Sequence, residues 1–142
     1  SNITFDIPKS FINLFSVYDN TILMMHGDSV SGGGSNTSIT RAITSLRGVL
    51  QYRKNLNVEL GIEDENIQFD NVMIGHFHRI DEIDIGTGEL HICGCMKGPD
   101  EFALQRLHTA SKPKQLVTYW HPRYDKEESR FVDVLPDIWA NA

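Results

Sequence analysis

Two short apolar runs in this chain end at histidine. His26 closes Ile22-Leu23-Met24-Met25, and Gly75-His76-Phe77-His78 follows Val72-Met73-Ile74. If both runs are strands, their ends carry imidazoles to one edge of a sheet, where open α/β proteins usually hold their ligands. Neutral imidazole is the commonest protein ligand for metal ions. His26, His76 and His78 converging there would make a metal site, and metal sites activate water for phosphate-ester hydrolysis.

Strand geometry tests the idea. Residues two apart on a strand share a face, with backbones about 6.6–6.8 Å apart. Donors on one tetrahedral ion must each lie about 2.0–2.1 Å from it. His76 and His78 therefore share an ion only through a turn at Gly75, or serve separate ions of a two-metal centre spaced about 3.5–4 Å. The alternative is a pair of surface histidines on a hairpin, and His26 alone would equally suit a solvated strand end. After His26, Gly27 leaves room for a bulky ligand, and Asp28 is able to orient an imidazole or bind metal itself.

Other constellations fail. His91, Cys93 and Cys95 alternate along one strand face, so the outer two lie about 13 Å apart and cannot share an ion. Both cysteines then read as small core or sheet-face residues. His108 and His121 have no partner in the sequence and read as structural or solvated. The loop from Gly27 to Ser35 lacks the lysine of a phosphate-binding P-loop, leaving a substrate-lining loop or a mobile linker. No Gly-x-Ser-x-Gly elbow is present for a serine hydrolase.

The elements that must position these residues are legible. Strands are expected over Leu14 to Tyr18 and Thr21 to Met25, with Asp19-Asn20 as the turn. Ser38 is the expected N-cap of a helix to about Asn55, with Ile39, Ala42, Ile43, Leu46, Val49 and Leu50 as its apolar face. Phe69 to Ile74 is a strand. Ile80 to Ile85, Gly86-Thr87-Gly88 and Glu89 to Cys95 form a hairpin. Pro99 opens a short helix to about Leu107. Gln115 to Trp120 and Arg130 to Leu135 are the last strands, separated by a charged turn from Arg123 to Glu128. With no repeat or internal linker, residues 1–142 read as a single α/β domain with a mixed sheet.

Composition narrows the function classes. At 142 residues, 40% hydrophobic and 23% charged, the chain is an ordinary globular domain with a real core. No apolar stretch approaches the ~20 residues that span a bilayer, and the start has no signal-peptide layout. Cytoplasmic placement is the expectation. The formal charge of −6 disfavours nucleic-acid binding through phosphate neutralisation alone, although bound divalent cations can face a phosphate instead. Two cysteines make no secreted disulfide framework.

The order Met24-Met25-His26-Gly27-Asp28, helix, then Val72-Met73-Ile74-Gly75-His76-Phe77-His78 resembles the last two metal motifs of calcineurin-like metallophosphoesterases. The hairpin, Gly94-Cys95-Met96-Lys97-Gly98 and Asp100-Glu101-Phe102-Ala103 look like that family's closing segment, especially in its phage and DNA-repair nuclease branch. The resemblance implies the C-terminal half of the metallophosphoesterase sandwich, with one long and one short helix. It implies that His26 and His76 bind one ion of a pair and His78 the other. The ions would be manganese, zinc or iron, and phosphoester hydrolysis would proceed by a metal-activated hydroxide. A phage-encoded member would work in host cytoplasm.

The family's first three motifs, Asp-x-His, Gly-Asp-x-x-Asp and Gly-Asn-His-Asp or Glu, are not found. The acids before His26 are Asp6 and Asp19, in no such pattern. No catalytic side chain is assigned. The expectation is a partial domain, inactive or nearly so alone, that needs an N-terminal half or self-association to cover its exposed edge. Its substrate would be a phosphoester, nucleic acid among the candidates. A three-histidine mononuclear hydrolase helped by Asp28 is a second reading. A non-enzymatic oligomeric or interaction module on a degenerate phosphoesterase scaffold is the third.

Overall fold

A computed structural model describes residues 10–30, 34–61, 68–96, 105 and 112–134. Its centre is a parallel pair, β2 (Asn20–Met25) beside β3 (Asn71–Ile74), linked through helix α1 (Asn36–Glu59). The neighbours Ile22 and Leu23 point to opposite faces, yet both are fully buried. A central parallel strand covered on both sides needs such an unbroken apolar run. β1 (Ile12–Val17) adds to the outer side of β2 as an antiparallel hairpin. The turn there is Tyr18-Asp19, one residue earlier than expected, and Tyr18 takes a positive φ of 54° to close it.

Helix α1 is capped by Ser35, not Ser38. The Ser35 hydroxyl oxygen accepts a hydrogen bond from the Ser38 backbone N–H at 3.2 Å, satisfying one of the unpaired donors at the helix start. The helix runs beyond Asn55 to Glu59. Ile39, Ile43 and Leu50 are buried with Leu46 beside them, but Val49 is 61% exposed. At 3.6 residues per turn it lies about 90° round the helix from that stripe. The stripe packs on Leu23, Phe69, Val72, Ile74, Leu90 and Ile92 to form the core.

The hairpin of β4 (Ile80–Asp84) and β5 (Glu89–Cys95) forms where expected. β5 runs parallel to β3 on one side and antiparallel to β4 on the other. At Gly94 and Cys95 it pairs with β6 (Lys114–His121), which continues into β7 (Asp125–Asp133). The sheet order is β1-β2-β3-β5-β6-β7, with β4 joined to β5.

The expected charged turn is shorter than its sequence suggests. Only residues 122–124 turn, and β7 begins at Asp125, with a register shift between Tyr119 and Trp120. The charges belong to a strand with a solvated side, which a composition-based reading takes for a loop. The short helix expected from Pro99 falls outside the described residues except for 105. The result is a mixed α/β arrangement with one long helix among the described residues. No described helix is long and apolar enough to cross a membrane.

Candidate metal centre

Parallel pairing of β2 and β3 brings His26 and His76 together. The ladder matches Met25 with Ile74. One step further, the His26 carbonyl accepts from both the Gly75 N–H at 3.2 Å and the His76 N–H at 2.9 Å. The two backbones are thus clamped as they leave the sheet. Nε2 of His26 and Nδ1 of His76 lie 3.2 Å apart, with the rings edge-on at 76° and centroids 4.9 Å apart.

Glycine makes this approach possible. Gly27 has φ +102°, and a Cβ there would stand 2.5 Å from Cγ2 of Ile74 and 3.4 Å from Cβ of His76. The space expected for a ligand beside Gly27 is therefore filled by the chain's own Ile74, His76 and Phe77. Gly34, at φ +72°, lies under the Phe77 ring in the same way. Arg79 closes the other side of the turn. Its guanidinium donates to the Gly34 carbonyl at 2.9 Å, to Oδ1 of Asn36 at 2.5 Å and to Oδ2 of Asp81 at 3.0 Å. That network ties the glycine-rich loop and the start of α1 to β4.

His76, Phe77 and His78 sit in the turn between β3 and β4, so the strand spacing that opposed a shared ion does not apply to them. His78 adopts φ +51°, a left-handed conformation uncommon outside glycine. It is not drawn into a tight group with the other two. Asp28 is exposed. An open depression of about 420 Å³ flanks His26, with Phe11, Met24, Met73 and Cys93 on its walls.

Among the described residues, the three-member group whose ligand atoms lie within 4.8 Å of one another is Glu82, Glu89 and His91. His91 is fully buried on β5, with Nδ1 3.2 Å from Oε1 of Glu82 and Nε2 3.6 Å from Oε2 of Glu89. Lys126 of β7 places its ammonium 2.9 Å from the same Glu82 oxygen and against Glu89. Burial, then the Lys126 charge, hold His91 below its ordinary pKa, against the pull of Glu89 and Glu82. At Glu82 burial pushes the carboxyl up, but bonds from Ser129 and Lys126 and the nearby positive charge outweigh it, and the pKa falls. The Lys126 pKa is raised: burial opposes the charge, but bonds to Glu89 and Glu82 prevail.

Sequence reasoning missed this group although part of it was readable. A hairpin closed at Gly86-Thr87-Gly88 sets Glu82 opposite His91 and Asp84 opposite Glu89. Lys126 comes from another hairpin and leaves no local signal. Along β5 itself, His91 faces the two glutamates, and the Cys93 thiol lies 3.9 Å from the His91 carbonyl oxygen.

No family model and no curated protein sequence matches the chain. Solved structures do. A single mutant of Vps29 from Entamoeba histolytica is 14% identical at TM-score 0.52, covering 91% of this chain and 64% of that one. A double mutant of the same protein gives 13% and 0.53 over the same shares. Wild-type Vps29 complexed with zinc gives 14% and 0.50, over 87% of this chain and 60% of that one. The chain thus spans about 60–64% of the length of the structures it matches. The likeness supports the calcineurin-like metallophosphoesterase fold, and at these identities it carries fold alone.

Proposed function

We propose that this chain contributes the histidine half of a divalent-metal phosphoesterase site, with His26, His76 and His78 as ligands. The observation that carries the reading is the 3.2 Å approach of His26 Nε2 to His76 Nδ1 at the ends of adjacent parallel strands. Two donors about 2.0–2.1 Å from one tetrahedral ion stand about 3.3 Å apart. The pair therefore fits one ion, and without an ion the same spacing is an N–H···N hydrogen bond. Binding an ion would displace the shared proton and turn both lone pairs toward a point off the N···N line. His78, on the following turn, serves the second ion of a pair. A divalent ion here supplies Lewis-acid activation of water and neutralises charge on a phosphoryl group.

The chain's own residues position and brace. Gly27 and Gly34 admit the turn, Phe77 wedges it, and Arg79 holds it to α1 and β4. The acidic ligands come from an N-terminal half or a partner, so the chain alone has little activity. Zinc and iron suit imidazole donors and manganese suits the carboxylates that would complete the site, and the zinc complex of a structurally similar protein makes zinc the first ion to try. The substrate class is phosphomonoesters and phosphodiesters, with the nuclease chemistry of the phage and DNA-repair branch as the narrower form.

Metal content of the purified chain is the direct test, by mass spectrometry after loading and desalting. His26→Ala and the His76→Ala/His78→Ala pair should each lose the ion, and unchanged content in both would remove the assignment. Hydrolysis of bis-p-nitrophenyl phosphate by the loaded chain alone would favour the self-sufficient mononuclear reading. One observation favours the non-enzymatic interaction module. Val117, Tyr119 and Val132 share the outward face of β6 and β7 and are 38%, 45% and 45% exposed. A metal-free chain forming a stable oligomer through that face would support it.

A further inference from the structure

We propose that Glu82, Glu89 and His91 form a second divalent-cation site whose resident cation in this structure is the Lys126 ammonium. It stands on residues apart from the His26 and His76 pair, so either site can fail without the other.

The argument starts from His91. Its side chain is fully buried, and each ring nitrogen faces a carboxylate oxygen, Nδ1 at 3.2 Å and Nε2 at 3.6 Å. A neutral imidazole has a single N–H. In either tautomer, one nitrogen lone pair is turned toward a carboxylate, a repulsive arrangement unless a cation lies between. As the ring stands, Nδ1–H is donated to Glu82 and Nε2 has no hydrogen-bond partner. An ion shared by Nδ1, Glu82 and Glu89 would take the place of that proton, which moves to Nε2, and the 3.2 Å from Nδ1 to Oε1 of Glu82 already suits two donors on one ion.

Lys126 marks where the positive charge belongs. Its Nζ lies 2.9 Å from Oε1 of Glu82 and also contacts Glu89. Two carboxylates against one ammonium leave the cluster one negative charge in excess, and a divalent ion in the ammonium's place would bring the sum to zero. The three ligand atoms already lie within 4.8 Å of one another. Donors on an ion at about 2.0–2.2 Å stand roughly 3.4 Å apart, so closure needs about 1 Å of movement. The glutamates can supply it, because their side chains are 26% and 38% exposed while His91 is fixed. One imidazole with two carboxylates suits zinc or manganese better than calcium, which takes six to eight oxygens.

Zinc titration against a chromophoric chelator, in the full chain carrying His26→Ala and His76→Ala, tests this separately from the first site. The expected result is one bound zinc per chain. His91→Asn and Glu89→Gln should each weaken it at least tenfold, and Lys126→Met, which removes the competing cation, should tighten it at least tenfold. Cobalt in place of zinc should give a visible d–d spectrum that His91→Asn abolishes. Circular dichroism melts confirm that each variant is folded, and a variant that melts early is replaced by Glu82→Gln. If no zinc binds in this background, or if Lys126→Met leaves the affinity unchanged, the proposal is overturned and Lys126 is a structural counter-ion only.

Discussion

The Cδ1–Cε1 edge of the Phe77 ring lies against Gly34: a Cβ on residue 34 would stand 2.2 Å from Cδ1 and 2.3 Å from Cε1 of that ring. Phe77 sits between His76 and His78, so this contact sets the turn that presents both imidazoles. Gly34→Ala must displace the ring and also adopt φ +72° with a side chain. We expect a loss of about 2–5 kcal/mol of stability, from overpacking and the left-handed backbone together. Urea unfolding measures it. Adding Phe77→Ala should return the steric part, leaving a double-mutant coupling well above zero.

Arg79 holds the same turn from the opposite side, donating to Gly34, Asn36 and Asp81. Arg79→Lys keeps the charge but loses the forked geometry that reaches three acceptors. A stability loss of about 1–3 kcal/mol is expected, with proteolytic cleavage of the glycine-rich loop becoming faster. Equal digestion rates in variant and parent would show that Arg79 does not restrain the loop.

The helix start offers a cleaner energetic test. Ser35→Ala removes the hydroxyl that accepts from the Ser38 N–H and should lower stability by about 0.5–2 kcal/mol. Ser38→Ala, which leaves that backbone N–H in place, should cost less. The reverse order in thermal melts would restore Ser38 as the cap.

Acid sensitivity should follow His91. Its folded pKa is lowered, chiefly by burial, while the unfolded value stays near the ordinary ~6.5. As pH falls below about 6.5, the unfolded chain takes up a proton that the folded chain refuses, so stability declines until the folded pKa is passed. Glu82 adds a second decline: its folded pKa is lowered, so its contribution is present above about 4.5 and lost as pH falls through the folded value. Denaturation midpoints measured across pH 7.5 to 3.5 in chelating buffer should slope downward in the parent. In His91→Asn the upper part of that slope should flatten.

The core strands β2 and β3 and the Ile80 to Cys95 hairpin were legible because apolar runs and turn residues are local signals. The long helix was legible too, though the choice between Ser35 and Ser38 depends on where the chain first turns, and both carry the same hydroxyl. The extent of β7 was hidden because a charged edge strand and a charged turn share a composition. Glu82 opposite His91 was available from hairpin register. The pairing runs across two strands, and residue spacing within β5 alone does not show it.

The sequence by itself marked the two apolar runs that become β2 and β3, with His26 and His76 just beyond their ends, because an unbroken apolar run ending at Gly or a polar turn has few other solutions. It also determined, through Gly27 and Gly34, that the turn after β3 could pack closely. Only the tertiary structure decided that β2 and β3 are neighbours and that their register leaves the two imidazoles 3.2 Å apart. It alone brought Lys126 to Glu82 and Glu89 across 44 residues from the first of them. Strand order and long-range register are set by burial summed over the whole core, and no short segment of the chain carries that sum.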